Sequence, residues 1–394
     1  MDHRSGEPTT AAIDETTATS VRPLDRARAA SGLVRDEALA SERLGRLTGK
    51  AAAALLDAHL FSVLVPPSEG GLGGTRAELF EAVEEIAAAD GSAAWCLAVC
   101  NGIAAFIHLG GSAKVRREVF GDGPVACWGS LMPTARSEPA TGGFRVSGNF
   151  RWGSGSSMSR WVWVASPLED RSGQQWFRSY IIPKDDVEIK DGSWDVMGLR
   201  ATASVDYSIT NKFVPVHRTI EYPYLPSEHP RSLSARWLIA VSQIGMAAFA
   251  SGIGAHALAE LIAEAPKTKR LALEGVQADD HMVQFGIGEL DGRLRAARRY
   301  YLDLLHSQDH AQGPPDPARM LDLPQAAQTL TRAARDATVF AFDNAGTSVV
   351  LAAHPLQRCL RDTFTGLKHA SLTPGILGRI GRARLGMDFG PAGF

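Results

Sequence analysis

Twice along this chain the texture of the sequence changes, and nothing else narrows its fold as much. From about Val125 it runs in short aromatic and β-branched segments set apart by turn residues: FRVSGNFRW (144–152), RWVWVAS (160–166), WFRSYIIP (176–183) and DYSITNKFVP (206–215). Such segments read as strands of an antiparallel sheet or small barrel. On both sides the sequence is helical. SAAWCLAVCNGIAAFIHL (92–109) is apolar nearly all round, which fits a helix at the centre of a domain. After the strands come long units at 235–265, 279–312, 322–350 and 355–370, with Pro314, Pro315 and Pro317 separating the second from the third. Four such helices joined by short turns make a bundle. The strand–helix alternation of a doubly wound fold is missing. The expected class is therefore α+β. It comprises a polar tail over 1–22, an N-terminal helical domain over 23–123, a central antiparallel β domain over 124–233 and a C-terminal four-helix bundle over 234–394.

Local signals agree with this division. Thr75-Arg-Ala-Glu78 has capping-box spacing ahead of the helical positions Leu79, Val83 and Ile86, and VPPSEGGLGG (65–74) before it must be a loop. Cys96 and Cys100, four apart in an apolar run, read as buried thiols on one helix face, and the four cysteines are too scattered for disulfides or zinc. That usage suits a reducing cytoplasm. Trp237–Ala259 is long enough to span a bilayer, but Ser242, Gln243, Ser251 and His256 interrupt it and no second span is expected, so it reads as a buried bundle helix. A formal net charge of -2 without basic runs gives no reason to expect nucleic acid. There is no P-loop, H-E-x-x-H, G-x-S-x-G or strand-led G-x-G-x-x-G, so electrons for any redox chemistry would have to come from something other than a Rossmann-bound nicotinamide.

Four signatures stand in order: VPPSEGGLGG with IAAADGSAAW (86–95), VSGNFRWGSG (146–155), WDVMGLRATASVDYSITNKFVP (194–215) and HPLQRCLRDTFTGLKH (354–369). Over roughly residues 30–390 the chain resembles the acyl-CoA dehydrogenase superfamily, and within it the two-component flavin-dependent monooxygenases. The resemblance implies that Trp152 lies beside the isoalloxazine ring and that Ser154 contacts the flavin N5 region, where a hydroxyl can hold the proton of a C4a-hydroperoxyflavin. It implies further flavin contacts at Ser130, Arg200, Thr202, Ser204 and Arg361. In GLRATAS, Ala203 replaces the usual glycine.

The same resemblance poses a choice of chemistry. A dehydrogenase of this fold needs a carboxylate to remove the substrate α-proton. The two positions from which that base comes are Ala370 and Ala235 here. Beside the first stands His369, whose imidazole can orient or deprotonate a substrate near neutral pH. Oxygen transfer is thus expected, with dehydrogenation by a base placed elsewhere, or a non-catalytic binding protein, as alternatives. Met282 stands where the arginine of an R-x-x-F-G flavin grip would be, ahead of Phe285-Gly286, and a weaker grip suits reduced FMN, or FAD, arriving from a separate NAD(P)H-dependent reductase. O2 would be co-substrate. Trp95, Asn101, Ile103, Pro133 and His369 are the expected substrate contacts. No metal is expected, and a homotetramer is implied. Phenol hydroxylases of this branch keep a histidine a little over two turns after the Trp95 position. Asn101 and Ile103 occupy that region here, which argues against a simple phenol as substrate.

Overall fold

Helices come first because the caps are in place. The computed structural model describes residues 21–130, 132–169, 175–222, 235–269, 275–310 and 321–387; residues 1–20, most of the expected tail, lie outside them. α1 (Pro23–Leu44) starts on a proline and closes on Gly45 in the left-handed region at φ 70°. α2 (Gly49–Asp57) leads to α3 (Arg76–Ala87), whose Thr75–Glu78 capping box forms as expected. In α4 (Gly91–Gly110), Asp90 accepts from the Ala93 N–H at 2.7 Å and the helix is buried on almost every face. α5 is Ala113–Phe120.

Among the described residues eight strands follow: β1 (Cys127–Gly129), β2 (Arg136–Ala140), β3 (Gly143–Gly153), β4 (Trp161–Glu169), β5 (Gln175–Pro183), β6 (Glu188–Lys190), β7 (Val205–Pro215) and β8 (Thr219–Tyr222). They form two four-stranded sheets, ordered β1-β4-β5-β8 and β2-β3-β7-β6. The pairing is antiparallel, as expected of the central domain, except that the short β1 runs parallel to β4. The first sheet is buried on both faces, and the period of two sorts its side chains. Val162, Val164, Tyr180 and Ile182 meet Val146, Phe150, Tyr207 and Ile209 of the second sheet. Trp163, Ala165 and Ile181 face the opposite way, onto Ile103, Phe106 and Ile107 of α4 and Val115 and Val119 of α5.

The C-terminal part holds α6 (Ala235–Glu264), α7 (His281–Asp309), α8 (Asp322–Asn344), α9 (Pro355–Gly366) and α10 (Gly375–Arg384). Residues of α1–α4 and of α6–α9 share one hydrophobic core, with α6 at its centre. There α6 passes so close to α3 that a Cβ on Gly252 would lie 2.3 Å from the Glu84 carbonyl oxygen. Glu84 accepts from Arg298 Nε and Nη2 at 2.8 and 2.6 Å and from Ser251 Oγ at 2.6 Å, tying α3 to α7 and α6.

Two expectations about helices change. Both Gly91–Gly110 and Val241–Glu264 are long and apolar enough to cross a membrane, so a second candidate span does exist; 78% and 67% of their most apolar windows are buried inside the protein, as in core helices. The helix expected over 355–370 ends at Gly366, where α9 lies against Phe249 and Trp95 so closely that a Cβ would come within 2.4 Å of the Phe249 ring. His369 therefore lies beyond the helix, in extended backbone at φ -65° and ψ 139°.

Candidate active site

Three hydroxyls from two distant segments meet under α4. Trp95 Nε1–H donates to Ser154 Oγ at 3.2 Å; Ser154 and Ser204 Oγ lie 2.6 Å apart, as do the Ser204 and Thr202 hydroxyls. Thr202 Oγ1 donates to the Leu199 carbonyl at 2.8 Å. All three hydroxyl residues are buried. They are brought together where β3 ends and β7 begins: Gly153 pairs with Val205 across a register shift, and Gly155 N–H donates to the Thr202 carbonyl at 2.9 Å. The motifs VSGNFRWGSG and GLRATAS thus form one structural unit.

Backbone strain collects at the same unit. Trp152, Leu199 and Ala203 have φ of 63°, 54° and 46°. Left-handed backbone costs a residue with a Cβ roughly 1–2 kcal/mol, which gives the glycine usual at position 203 its physical reason. Trp152 is 61% exposed, with the Arg151 guanidinium over its ring 5.1 Å from the centroid. A large strained aromatic thus faces solvent beside a buried hydroxyl row. Ser130, partly buried after β1, accepts from the Met132 N–H at 3.4 Å.

On the other side of Trp95 lies His369. The two rings are 5.6 Å apart and nearly perpendicular, and Trp95 meets Phe249 edge-on at 5.1 Å. His369 Nδ1 accepts from the Ser371 N–H at 3.3 Å and lies 2.7 Å from Ser371 Oγ. Ser371 is held in turn by Gln243 Nε2, which donates to its carbonyl at 3.2 Å. Burial holds the imidazole below the ordinary histidine range, so the ring is neutral. Because a backbone N–H can only donate, the proton of the neutral ring sits on Nε2.

Other expected contacts lie elsewhere. Asn101, expected against substrate, is buried with all its polar atoms committed: Oδ1 accepts from Val63 N–H at 2.8 Å, and Nδ2 donates to the carbonyls of Leu60 and Leu97 at 2.7 and 2.9 Å. Ile103 belongs to the core between α4 and the first sheet. Both corrections have one cause: α4 is apolar all round, so position along it does not tell a pocket wall from a core. Pro133 is partly buried, and residues 223–234, part of the expected substrate region, lie outside the described residues. Arg200 donates to the Val196 carbonyl at 2.7 Å. Arg361 is taken up by the protein, bonding Gln357 Oε1 at 2.6 Å, the Met197 carbonyl at 2.5 Å and Glu42 at 2.5 Å. It clamps the 194–202 loop to α9, with Gly198 so close that a Cβ would lie 2.2 Å from the Arg361 carbonyl oxygen. Its neighbour Asp362 accepts from the Leu199 N–H at 2.5 Å. Burial, then the charge of Asp90, push the Asp362 carboxyl up to about 7. The sequence reading did not single out Phe249 or Ser371. The H-A-S spacing, a side-chain acceptor two residues before an N–H, was the available signal for Ser371.

Comparisons with known proteins agree in direction. Two family models match: acyl-CoA dehydrogenase, N-terminal domain, over residues 27–122, and acyl-CoA dehydrogenase, C-terminal domain, over residues 244–374. Together they cover more than half of the chain. The flavin-dependent monooxygenase, oxygenase subunit HsaA, of Mycobacterium tuberculosis is 28% identical over 364 residues, 86% of this chain and 89% of that protein. The pigment production hydroxylase of Rhodococcus erythropolis is 27% identical over 370 residues, covering 89% and 93% respectively. Among solved structures, XiaF from a Streptomyces species, in complex with FADH2 and glycerol, is similar with a TM-score of 0.83 at 22% identity, over 93% of this chain and 95% of that one. This last likeness is one of fold.

Proposed function

The chain belongs to the acyl-CoA dehydrogenase family, and from that premise we propose that it is the oxygenase component of a two-component flavin-dependent monooxygenase. One observation carries the reading: Trp95 touches both Ser154 and His369, so a hydroxyl for the flavin side and an imidazole for the substrate side share one aromatic wall. The residues present fit a flavin. Trp152 offers an exposed aromatic face, and Ser154, with Thr202 and Ser204 behind it, offers a hydroxyl oxygen with one lone pair uncommitted. Ser130 directly follows β1 and Arg200 stands in the loop that leads into β7, whereas Arg361 acts on this reading through the loop it clamps. Of FMN and FAD, FAD is favoured on this reading, supported by a resorcinol hydroxylase of Rhizobium, 30% identical over about half of this chain, which is named FADH2-dependent.

Bound there, reduced flavin supplies the two electrons with which O2 gives one atom to an organic substrate and one to water. The chain's own residues do the rest. Trp95 and Phe249 present apolar ring surface that excludes water. His369 directs its Nε2–H at an acceptor on the substrate, such as a phenolate oxygen or ring heteroatom. An aromatic substrate fits this wall, and the hydroxylase names of the relatives point the same way. A separate NAD(P)H-dependent flavin reductase is the partner that such an oxygenase requires. Met282 and Phe285 stand exposed on α7, which supports assembly through the bundle into a homotetramer, and four buried free cysteines suit a cytoplasmic setting.

The test supplies reduced FAD and 18O2 with a panel of phenolic, indolic and polycyclic aromatics. Product carrying one labelled oxygen is expected. Hydrogen peroxide alone across the panel, together with bleaching of bound oxidised FAD by an acyl thioester without O2, would instead establish the dehydrogenase alternative. His369→Ala should lower product per reduced flavin by about 10–100-fold, the worth of a buried hydrogen bond to a charged or strongly polar group, while peroxide release rises.

A further inference from the structure

The three hydroxyls under α4 form a chain whose direction is fixed at both ends. At one end Thr202 Oγ1 lies 2.8 Å from the Leu199 carbonyl oxygen, which can only accept. Two oxygens that close repel unless a proton lies between them, so the single hydroxyl proton of Thr202 is committed there. Thr202 must then accept from Ser204, 2.6 Å away, and Ser204, its proton committed in turn, must accept from Ser154 at 2.6 Å. At the other end Trp95 Nε1–H, which can only donate, fills one lone pair of Ser154. Reading the bonds in order gives Trp95 to Ser154 to Ser204 to Thr202 to the Leu199 carbonyl. The whole row is buried, so water does not offer a competing partner within it.

We infer that Ser204 and Thr202 are positioning residues that make Ser154 an acceptor and not a donor toward the flavin, so that the site favours reduced over oxidised flavin by hydrogen-bond polarity. This inference rests on the reading of Ser154 as a flavin contact. The chemistry follows from N5 itself: in reduced flavin it carries a hydrogen and donates, and in oxidised flavin it is a bare nitrogen that needs a donor. Ser154 has a lone pair left for the first and no proton left for the second. A site wired in this way releases oxidised flavin to the reductase and takes up the reduced form.

Breaking the chain should free the Ser154 proton. In Ser204→Ala the acceptor is gone; in Thr202→Val, nearly the same shape, Ser204 can turn its proton back toward Ser154. The Leu199 carbonyl keeps Trp194 Nε1–H and the Thr202 N–H as partners in that variant, so the loop retains its anchors. The experiment measures dissociation constants of oxidised and, anaerobically, reduced FAD for the full chain and for each variant, with circular dichroism and thermal unfolding alongside. Each variant should shift the ratio of the two constants toward oxidised FAD by about five- to tenfold, the worth of one hydrogen bond, and Thr202→Ser should restore the original ratio. An unchanged ratio in folded Ser204→Ala and Thr202→Val, with both forms still binding, overturns the wiring alone. Absence of binding of either form to the unaltered chain overturns the flavin site and the wiring with it.

Discussion

Asp362 shows what a single side chain here does to the balance of the fold. Buried and facing the charge of Asp90, it holds its proton up to about pH 7, whereas an exposed aspartate releases its own near 3.8. Between those values the folded protein binds more protons than the unfolded chain, so this residue's contribution to stability is greatest below about pH 4 and is lost as pH rises to 7. Asp362→Asn keeps an acceptor for the Leu199 N–H and removes the titration. Its unfolding free energy should vary less than the parent's between pH 4 and 7 and be no lower at pH 8, which urea melts across that range would read. A variant as pH-dependent as the parent would assign the effect to another group. At this scale the sequence was informative about which residues matter and silent about their bonding. Ser154, Thr202 and Ser204 stood out through their motifs, but the direction of their hydrogen bonds depends on a tryptophan far from them in sequence and on a turn that brings the Leu199 carbonyl onto Thr202. His369 stood out too, and its tautomer became readable only once Ser371 was seen against Nδ1.

Among elements, α4 carries the most. It presents Trp95 to the site from one face and, from another, anchors the turn before α3 through Asn101. That amide bonds three backbone groups, two of them in the segment 60–63. Asn101→Leu fills the space but leaves the Val63 N–H and the Leu60 carbonyl buried without it, and should cost about 2–4 kcal/mol in chemical denaturation, with little change in flavin affinity; a large loss of affinity with unchanged stability would return Asn101 to the binding site. Strand and helix order was legible because period two and all-round apolarity are strong signals. Boundaries were less so. β1 has three residues, too short to show a period, and its parallel pairing with β4 joins residues far apart in sequence. α9 ends at Gly366, where Phe249 and Trp95 leave no room for a Cβ, a tertiary constraint that no local propensity carries.

At the level of the whole molecule, the first and last thirds of the chain are one body. Glu84 on α3 takes both a bidentate arginine from α7 and a hydroxyl from α6. Arg298 is partly exposed, so solvent screens the pair, but its loss leaves the partly buried Glu84 carboxylate beside Ser251 without its arginine partner. Arg298→Met should lower stability by about 1–3 kcal/mol, and the loss should shrink in an Arg298→Met, Glu84→Gln double variant; strictly additive effects would show that the two do not act as a pair. Composition changes at the strands and so separates two helical regions, but it does not register that these flanks share a core. That shared core matters on the ribosome. When α4 emerges, its partner α6 has not been made, and residues 111–234 must be synthesised first, which takes about 6–25 s at 5–20 residues per second. For that interval one of the most apolar helices in the chain is covered only by α3 and the segment before it, so a nascent chain that pauses within its β strands exposes apolar surface that favours aggregation.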